Sequence, residues 1–564
     1  MKIAAITPRI RLGDCKFNTE QVIAAARSSA DKGCHLAIFP MSVLFGNTIG
    51  PLTISETVQM SIHDSIELIR KETSGLKDLT IVLSMEILKK DSEGEFDIAF
   101  FVINGGTCGL FYEWDNPEIE VCGKKISLIV GEPFANDSSD IIVCLSTYSL
   151  TGACTASALA ELKEHSLKNE FILISGCFGE SVDEDVISTL KAYARKGEIC
   201  DYSLKEGMCI FDTDDEYKPL NVIMPEYSHI NFLPDEGPGR DAFLLNVLRI
   251  QAVGLGERLV FLGTDKSVLG LSGGLDSTLA LVAAVNAYEK YGLDKKNIIC
   301  VTMPGFGTGS VTKNNAHRLA EAFGVTLLEI DIKDQVDVHL KSIGQPMENG
   351  RYVPDVTFEN AQARVRTMIL MDIANKENGI VIGTGDMSEL ALGWCTYNGD
   401  HMSNFSVNAG VSKTMIAPLL RLYVRRIADP KERPLLNEIF ESIIETPVSP
   451  ELLPTDDNGE VVQKTQDVIG PYELHDFFLC LFFNGCSANT IFNLALEEFK
   501  NRYDKETIKD TLKIFIKRIF TQQFKRSCMP VGPRVTTYSL SPRSGLLFPS
   551  DMYADEWLRN LDKE

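Results

Sequence analysis

The sequence lacks several features that would place it outside ordinary globular proteins. It has no run of about 18 consecutive apolar residues, so we expect no membrane-spanning helix. Its first residues lack an apolar run followed by a cleavage site, so we expect no signal peptide. Basic side chains are relatively few: the chain has 55 lysines and arginines but 78 aspartates and glutamates, which gives a formal net charge of −23. Such a surface repels phosphate backbones and disfavours nucleic-acid binding, whereas anionic small substrates need only a locally basic site.

Paired cysteine motifs are also missing. No CxxC occurs among the 14 cysteines, and several of them, such as Cys144, Cys300 and Cys480, lie within apolar runs. This distribution favours buried, reduced thiols over disulfides or a zinc site. We therefore expect a cytoplasmic protein.

The length and composition indicate a folded chain of several domains. It has 564 residues, of which 44% are hydrophobic and 24% charged, and at about 100–200 residues per domain this predicts two to four domains. Two prolines and two glycines interrupt any regular element at 233–240. We place the domains at 1–233 and 241–564, with 234–240 as a linker.

The first domain has an α/β pattern with several strands and few long helices. We predict that a helix begins at Asn18, with Gln21 as its capping-box partner, and ends at Gly33. The predicted strands of this domain are 2–6, 36–39, 80–84, 99–103, 127–130, 141–145 and 171–175.

The second domain alternates strands and helices more regularly. Its predicted strands are 268–271, 298–302, 325–330 and 379–382, and its predicted helices are 278–291, 312–323 and 358–375. Strands separated by helices of this length predict a parallel sheet with helices on both faces. The last hundred residues are predicted to be mainly helical, and irregular after Pro530.

A glycine-serine loop follows the first strand of the second domain. In Leu271-Ser-Gly-Gly-Leu-Asp-Ser-Thr278, two glycines allow a tight turn, and the following helix N-terminus offers N–H groups to an anion. Ser272 and Ser277 add hydroxyls. Phosphate would repel Asp276 unless a cation lay between them, so the loop predicts bound Mg²⁺. The alternative interpretation is a plain tight turn before a capped helix.

Further candidates lie downstream, each with an ordinary alternative. Asn360 and Arg364 share one helix face and could bind phosphate or carboxylate, or could be solvated. Glu389, near the carboxyl end of a strand, could be a second metal ligand or could stabilise a helix terminus. Trp394 could stack on a substrate ring or pack in the core. Lys413 could contact a phosphate or remain in solvent.

Together these motifs resemble a known family. The loop resembles the pyrophosphate-binding loop of the ATP pyrophosphatases, and the ordered series resembles the synthetase domain of glutamine-dependent NAD⁺ synthetases. The resemblance runs through 272–277, 302–308, 358–366, 383–402, 449–454, 469–478 and 524–527. It implies an α/β fold: a nitrilase-like α-β-β-α sandwich, then a Rossmann-like parallel-sheet domain of the ATP pyrophosphatase (adenine nucleotide alpha hydrolase-like) type with a helical C-terminal extension.

The resemblance also implies a reaction and its residues. ATP adenylates the nicotinate carboxylate of deamido-NAD, and ammonia then displaces AMP to give NAD⁺. Asp276, Glu389 and Lys413 would be catalytic, the two carboxylates as Mg²⁺ ligands. ATP would be held by Ser272, Gly273, Gly274, Asp276, Ser277, Thr384, Lys413 and Ser449, and deamido-NAD by Asn360, Arg364, Trp394, Asp400 and Lys525. His475 is interpreted as structural, and a homo-oligomer, a dimer or larger, is implied.

In this family the first domain resembles the nitrilases and hydrolyses glutamine with a Glu-Lys-Cys triad. The start of the chain agrees with that pattern through 36–40, but Met41 occupies the glutamate position. Glu113 stands where the lysine is expected, and Gly131 where the cysteine is expected. Neither a thioether nor a glycine can replace these groups, so the sequence predicts an inactive glutaminase domain.

We therefore predict an ammonia-dependent NAD⁺ synthetase. One alternative is a glutaminase site relocated to nearby residues, for which Cys122, Cys144, Lys124 and Lys125 are the candidates, or ammonia supplied by a separate protein. A second is a catalytically inactive regulatory paralogue. A third, an enzyme of this loop type acting on tRNA, conflicts with the net charge. The first domain would then serve oligomer contacts, cover the synthetase site or bind a partner.

Overall fold

The computed structural model describes residues 1–89, 95–132, 138–307, 310–348, 350–446 and 465–561. The chain forms two compact units, Met1–Met224 and Pro225–Glu564. The predicted linker 234–240 stays a prediction, and its residues lie within the second unit, which begins at Pro225. The last residues of the predicted linker begin a helix at Pro238, since proline is compatible with the first turn of a helix.

The first unit is rich in strands. In chain order it contains β1 (Lys2–Thr7), α1 (Cys15–Asp31), β2 (Leu36–Met41), α2 (Glu56–Glu72), β3 (Thr80–Leu88), β4 (Phe96–Asn104), β5 (Thr107–Tyr112), β6 (Glu118–Val121), β7 (Lys124–Val130), β8 (Ile141–Leu145), α3 (Cys154–His165), β9 (Glu170–Ile174), β10 (Ser181–Val182), β11 (Asp185–Val186), β12 (Lys191–Arg195), β13 (Glu198–Ser203) and β14 (Gly207–Asp212).

These strands form two six-stranded sheets, in the orders β14-β1-β2-β3-β4-β5 and β13-β12-β9-β8-β7-β6. Within each sheet, three neighbouring strands are parallel: β1 to β3 in one and β7 to β9 in the other. Ile38 of one sheet and Val143 of the other share a buried core, whereas the outer faces pack on α1, α2 and α3. The predicted α-β-β-α sandwich is therefore confirmed.

The predicted N-terminal cap of α1, Asn18, is wrong by four residues. The helix begins at Cys15, and the carboxylate of Asp14 caps it by accepting the N–H of Phe17 at 3.1 Å. Asn18 lies in the first turn and is buried, with its side chain hydrogen-bonded to backbone atoms of Arg11 and Leu44. Aspartate and asparagine are equally good caps, so sequence alone did not separate the two positions.

The second unit contains, in chain order, α4 (Pro238–Leu262), β15 (Ser267–Gly270), α5 (Leu275–Tyr291), β16 (Ile298–Thr302), α6 (Ser310–Phe323), β17 (Thr326–Glu329), α7 (Lys333–Ser342), β18 (Met347–Glu348), β19 (Arg351–Tyr352), α8 (Val356–Glu377), β20 (Ile380–Gly383), α9 (Met387–Leu392), β21 (Phe405–Ser406), α10 (Lys413–Arg426), α11 (Arg433–Glu445), α12 (Thr465–Ile469), α13 (Tyr472–Phe483), α14 (Ala488–Glu498), α15 (Lys505–Thr521), α16 (Gln523–Arg526) and α17 (Asp555–Leu561).

The core of this unit is the five-stranded sheet β17-β16-β15-β20-β21, in which every neighbouring pair is parallel. Helices α7 and α8 cover one face with an apolar cluster that includes Val268 and Phe358, and α5 packs against β15. The predicted parallel sheet is confirmed. Because β15 and β20 are neighbours, the loops that follow them lie side by side at the carboxyl edge, where open α/β sheets bind ligands.

Candidate active site

The loop after β15 has the shape of an anion cradle. Gly273 has φ +85°, and a Cβ there would lie 2.0 Å from the carbonyl oxygen of Thr312, so only glycine fits. The hydroxyl oxygens of Ser272 and Ser277 lie 3.2 Å apart at the N-terminus of α5, and Ser272 Oγ accepts the N–H of Gly274 at 3.1 Å. Hydroxyls and helix N–H groups thus converge on one small volume, as anion binding requires.

Three carboxylates meet beside this loop. Asp276 lies in the first turn of α5, Asp386 caps α9, and Glu389 follows one turn later in α9. One oxygen of each lies within 4.8 Å of the others. Asp386 is fully buried, and its Oδ1 accepts the N–H of Glu389 at 2.8 Å, so the cap also fixes the direction of its second oxygen.

Lys413, the first residue of α10, fills the centre of this carboxylate cluster. Its Nζ donates to both carboxylate oxygens of Asp276 at 2.8 Å and to Glu389 Oε1 at 2.8 Å. It also lies 2.6 Å from Asp386 Oδ2. The side chain is 5% exposed, and its ammonium faces the ring of Tyr472 at 5.1 Å. Carboxylates at this distance raise the pKa of Lys413, against the effect of burial.

The cluster holds more negative than positive charge. Burial raises the pKa of Glu389 to about 7 and that of Asp386 well above its usual range, and the neighbouring carboxylates add to both effects while Lys413 opposes them. When all four groups are ionised, three carboxylates and one ammonium carry a net negative charge, which a further cation would neutralise. Carboxylate oxygens are the ligands that Mg²⁺ prefers, so these residues fit the ion that the sequence predicts, with Asp386 as an additional donor.

A buried pair of amides joins the loops that carry the cluster. Asn408 Nδ2 donates to the backbone carbonyls of Asp276 and Thr384 at 2.9 and 3.0 Å. Its Oδ1 accepts from Gln251 Nε2 at 2.9 Å, and both amide side chains are fully buried. Hydrogen bonds, and not packing alone, therefore fix the positions of the loops after β15 and β20 relative to each other.

Thr384 is one of the residues that line a cleft beside this cluster. The cleft starts at the carboxyl end of β20 and reaches the loop after α9. Its lining residues are Gly383, Thr384, Gly385, Glu389, Leu390, Cys395, Asp400, His401, Ser403, Ser406 and Pro530. Glu389 thus belongs to both the carboxylate cluster and the cleft, which joins the predicted metal and substrate residues in one site.

Of the predicted dinucleotide residues, Asp400 lines this cleft, and others contact the loop that follows α9. Asn360 Oδ1 accepts the hydroxyl of Thr396 at 2.7 Å, and Asp400 Oδ1 accepts the N–H of the same threonine at 2.8 Å. The guanidinium of Arg364 lies 3.4 Å from the carbonyl oxygen of Tyr397. Asn360, Arg364 and Asp400 are therefore brought together around one loop.

Trp394 lies on this loop, and Lys525, which belongs to α16, contacts it. The guanidinium of Arg518 stacks on the Trp394 ring at 5.0 Å, and Lys525 Nζ donates to the carbonyls of Gly393 and Cys395 at 2.7 Å each. Lys525 thus holds the loop in place. Its direct contact with a ligand, and that of the half-buried Trp394, stay predictions. Ser449 lies outside the described residues.

Asp386 and Asn408 belong to the site but were not predicted from the sequence. Asp386 does carry a sequence signal, since an aspartate three residues before a glutamate is typical of a helix start. Asn408 belongs to the segment that yielded Lys413, but only its hydrogen bonds to residues more than twenty positions away give it a role.

The positions of the predicted lost triad lie on different elements of the first unit. Met41 ends β2 and is buried, Glu113 lies in a short turn after β5, and Gly131 follows β7 with φ +93°. Burial raises the pKa of Glu113. That these positions correspond to a family triad stays a prediction.

The relocated alternative also meets physical obstacles. The Cys144 thiol donates to the carbonyl of Gly131 at 3.3 Å, and burial raises its pKa to about 12. Lys124 pairs with Glu170 at 3.7 Å, and Cys122 is exposed in a turn. A thiol with so high a pKa is almost entirely protonated near neutrality, which disfavours Cys144 as a nucleophile.

A further buried carboxylate of the first unit, Glu180, lies beside the loop that follows β2. Glu180 is 2% exposed and accepts the backbone N–H groups of Asn47 and Cys177, the latter at 3.0 Å. Burial raises its pKa to about 7, although the backbone donors oppose the shift. Asn47 Nδ2 in turn donates to Thr147 Oγ1 at 3.0 Å, which links the loops after β2 and β8.

Among the described residues, no helix is both long and apolar enough to cross a membrane.

Known proteins resemble the whole chain. Residues 249–526 match the model of the NAD synthase family. A glutamine-dependent NAD(+) synthetase of Mycobacterium bovis is 30% identical over an alignment of 672 positions, which covers 100% of this chain and 98% of the relative. One of Acinetobacter baylyi is 22% identical and covers 96% of each chain. The alignment with the M. bovis protein is longer than this chain, so that relative carries segments that the chain lacks.

Solved structures agree in fold. A glutamine-dependent NAD(+) synthetase from Cytophaga hutchinsonii superposes with a TM-score of 0.78 at 16% identity, covering 100% of both chains. One from Acinetobacter baumannii, in complex with adenosine diphosphate, gives 0.65 at 20% identity and covers 97% of this chain. The two-unit architecture is therefore shared with proteins of very different sequence.

Proposed function

We propose, since this chain belongs to the family of glutamine-dependent NAD(+) synthetases, that it forms NAD⁺ from deamido-NAD, ATP and free ammonia. The family establishes an ATP-dependent ligase that forms NAD⁺. The use of ammonia in place of glutamine is the part that this chain's own residues suggest. The observation that carries it is the contrast between a complete carboxylate-lysine cluster in the second unit and Met41, Glu113 and Gly131 in the first.

The reaction has two steps. The nicotinate carboxylate of deamido-NAD attacks the α-phosphorus of ATP, and the bond to pyrophosphate breaks. Ammonia then attacks the activated carbonyl carbon, AMP leaves with the bonding electrons, and one proton passes to solvent. Adenylation is needed because a carboxylate is a poor electrophile, and AMP is a much better leaving group than oxide.

The glycine-serine loop and Lys413 serve the first step. Ser272, Ser277 and the N-terminus of α5 would bind the departing pyrophosphate, and Lys413, whose Nζ contacts Asp276 in the first turn of α5, would help to neutralise its charge. Asp276 and Glu389, with Asp386, would hold Mg²⁺, which when bound neutralises phosphate oxygens. Asn360, Arg364, Trp394 and Asp400 would orient deamido-NAD along the cleft.

The proposed dependence on ammonia rests on the catalytic groups that the first unit lacks at the predicted triad positions. A glutaminase of this type needs a nucleophile, a base and a cation within hydrogen-bonding distance of one another. Met41 cannot accept a proton, Gly131 has no side chain, and the pKa of about 12 leaves Cys144 as an unreactive thiol. The first unit would then support a homo-oligomer, cover the synthetase site or receive an ammonia-donating partner.

The first experiment compares nitrogen donors. Purified protein with deamido-NAD, ATP and Mg²⁺ is given either ammonium or ammonia-free glutamine, and NAD⁺ is measured. We expect NAD⁺ from ammonium only. Equal NAD⁺ from glutamine would contradict ammonia dependence and indicate a relocated glutaminase site. No NAD⁺ from either donor would contradict the synthetase assignment and favour a regulatory paralogue.

A further inference from the structure

Helix α13 brings a buried carboxylate to the back of the carboxylate cluster. Asp476 lies in its second turn, is 1% exposed, and belongs to neither the metal cluster nor the cleft. Its Oδ2 accepts the backbone N–H of Thr414 at 3.0 Å and the hydroxyl of the same residue at 2.7 Å. Its Oδ1 accepts the hydroxyl of Ser388. A buried carboxylate with three donors is placed by its partners and is costly to disturb.

These partners are the immediate neighbours of two site residues. Thr414 follows Lys413 in the first turn of α10, and Ser388 precedes Glu389 in α9. Ser388 Oγ also accepts the N–H of Lys413 at 2.8 Å. Asp476 and Ser388 therefore satisfy the first two N–H groups of α10, whose own cap residue, Ser412, makes no side-chain cap hydrogen bond.

We propose that Asp476 is a positioning residue for the synthetase reaction: its carboxylate joins the N-termini of α9 and α10 and so aims Lys413 and Glu389 at one point. The carboxylate acts from behind the site, through Ser388 and Thr414, and touches no substrate. Tyr472, one turn earlier on α13, places its ring against the Lys413 ammonium, so this helix contacts the lysine directly and, through Asp476, the residue that follows it. His475, between them, is buried, and its Nε2 donates to the carbonyl of Ile469 at 2.7 Å.

The proposal rests on the proposed function, because it concerns the geometry of that same site. Asp476→Asn keeps the size of the side chain but removes its charge and one acceptor oxygen. We expect kcat with ammonium to fall about 10–100-fold, the range observed for groups that orient metal-site ligands. The KM for deamido-NAD should change less than about twofold, because Asn360, Arg364 and Asp400 contact a different loop.

A matched control separates positioning from stability. Glu257→Gln alters another buried carboxylate of the second unit, which accepts the hydroxyl of Tyr291. Tyr291 ends α5, about 22 Å along that helix from Asp276 at a rise of about 1.5 Å per residue. We expect this variant to lower the melting temperature without lowering kcat. Ser388→Ala should lower kcat as Asp476→Asn does, and the double variant should lose little more than either single variant, because both act through one linkage.

A second readout does not require activity. Hydrogen exchange measured by mass spectrometry should show faster exchange of the Lys413 and Thr414 amides in Asp476→Asn, with α8 amides unchanged. An unchanged kcat with unchanged exchange overturns the proposal, and so does a loss of kcat that Glu257→Gln reproduces at an equal loss of melting temperature. If the wild-type protein makes no NAD⁺, the proposed function fails, whereas the exchange measurement still decides whether Asp476 holds α10.

Discussion

Each unit contains a glutamate whose pKa is raised to about 7 by loss of solvent, and only one of these two residues lies in a site equipped for chemistry. Glu180 in the first unit is surrounded by backbone N–H groups, whereas Glu389 in the second faces the ammonium of Lys413 and lines an open cleft. Burial produces the same shift in both places. A raised pKa therefore marks desolvation, and the surrounding charged side chains and access to substrate decide whether it serves a reaction.

The largest expected effect is on the second unit. Asp276→Asn keeps the side-chain volume but removes a charge that contacts Lys413 and is placed to hold Mg²⁺. We expect NAD⁺ formation with ammonium to fall about 10³-fold, measured as kcat/KM, because stabilising the charge on departing phosphates supplies much of the rate enhancement in such reactions. Met41→Ala in the first unit is the matched control and should stay within about twofold. An Asp276→Asn variant with most of its activity would remove the metal role.

The next effect is on the stability of the first unit. Folding raises the pKa of Glu180 from 4.5 to about 7, so the folded state holds the proton more tightly and stability falls as pH rises through that window. The full loss is about 3 kcal/mol of unfolding free energy. Glu180→Gln should remove this slope, as measured by urea unfolding between about pH 5 and pH 8, and should leave ammonium-dependent activity unchanged. Equal slopes in both proteins would contradict the assignment.

The raised pKa of Glu389 in the second unit should make Mg²⁺ binding depend on pH. Below pH 7 Glu389 holds a proton that a divalent cation must displace, so apparent Mg²⁺ affinity should rise with pH and level off above its pKa of about 7. We expect a change of about tenfold per pH unit below that point, for one proton released. The measurement is the Mg²⁺ dependence of the rate from about pH 6 to pH 8. Glu180→Gln should show the same dependence, and a flat Mg²⁺ dependence in the wild-type protein would contradict the assignment.

The smallest expected effect concerns an aromatic ring in each unit. Trp394→Ala removes a ring that stacks on Arg518 beside the cleft, and should raise the KM for deamido-NAD about fivefold with little change in kcat, in line with the worth of one stacking contact. Trp114, which is 65% exposed and stacks on Tyr112 in the first unit, provides the control. Trp114→Ala should leave both constants unchanged. Equal effects of the two variants would mean that Trp394 does not contact the substrate.

Sequence alone predicted the parallel sheet of the second unit because its strands are short apolar runs separated by long helices. It also pointed to Asp276, Glu389 and Lys413 as candidate site residues, since each of them stands in a motif. It did not predict that Lys413 contacts all three carboxylates, because Asp276 and Lys413 are 137 positions apart and only the fold sets their distance. Asp386 was missed because a helix cap and a site residue look alike in sequence. The predicted linker overlaps the start of α4, because proline and glycine interrupt regular elements and also occur at helix starts.

The two glycines of the loop after β15 differ in how much variation they permit. At Gly273 a methyl group would meet the Thr312 carbonyl at 2.0 Å and require a positive φ, whereas at Gly274 the nearest atom is Ser272 Oγ at 3.2 Å and φ is −90°. In a library of all single codon changes grown under selection for NAD⁺ synthesis, position 273 should yield survivors with glycine alone. Position 274 should also yield alanine. Of the two adjacent glycines in the motif, we therefore expect the first to be invariant and the second to tolerate substitution.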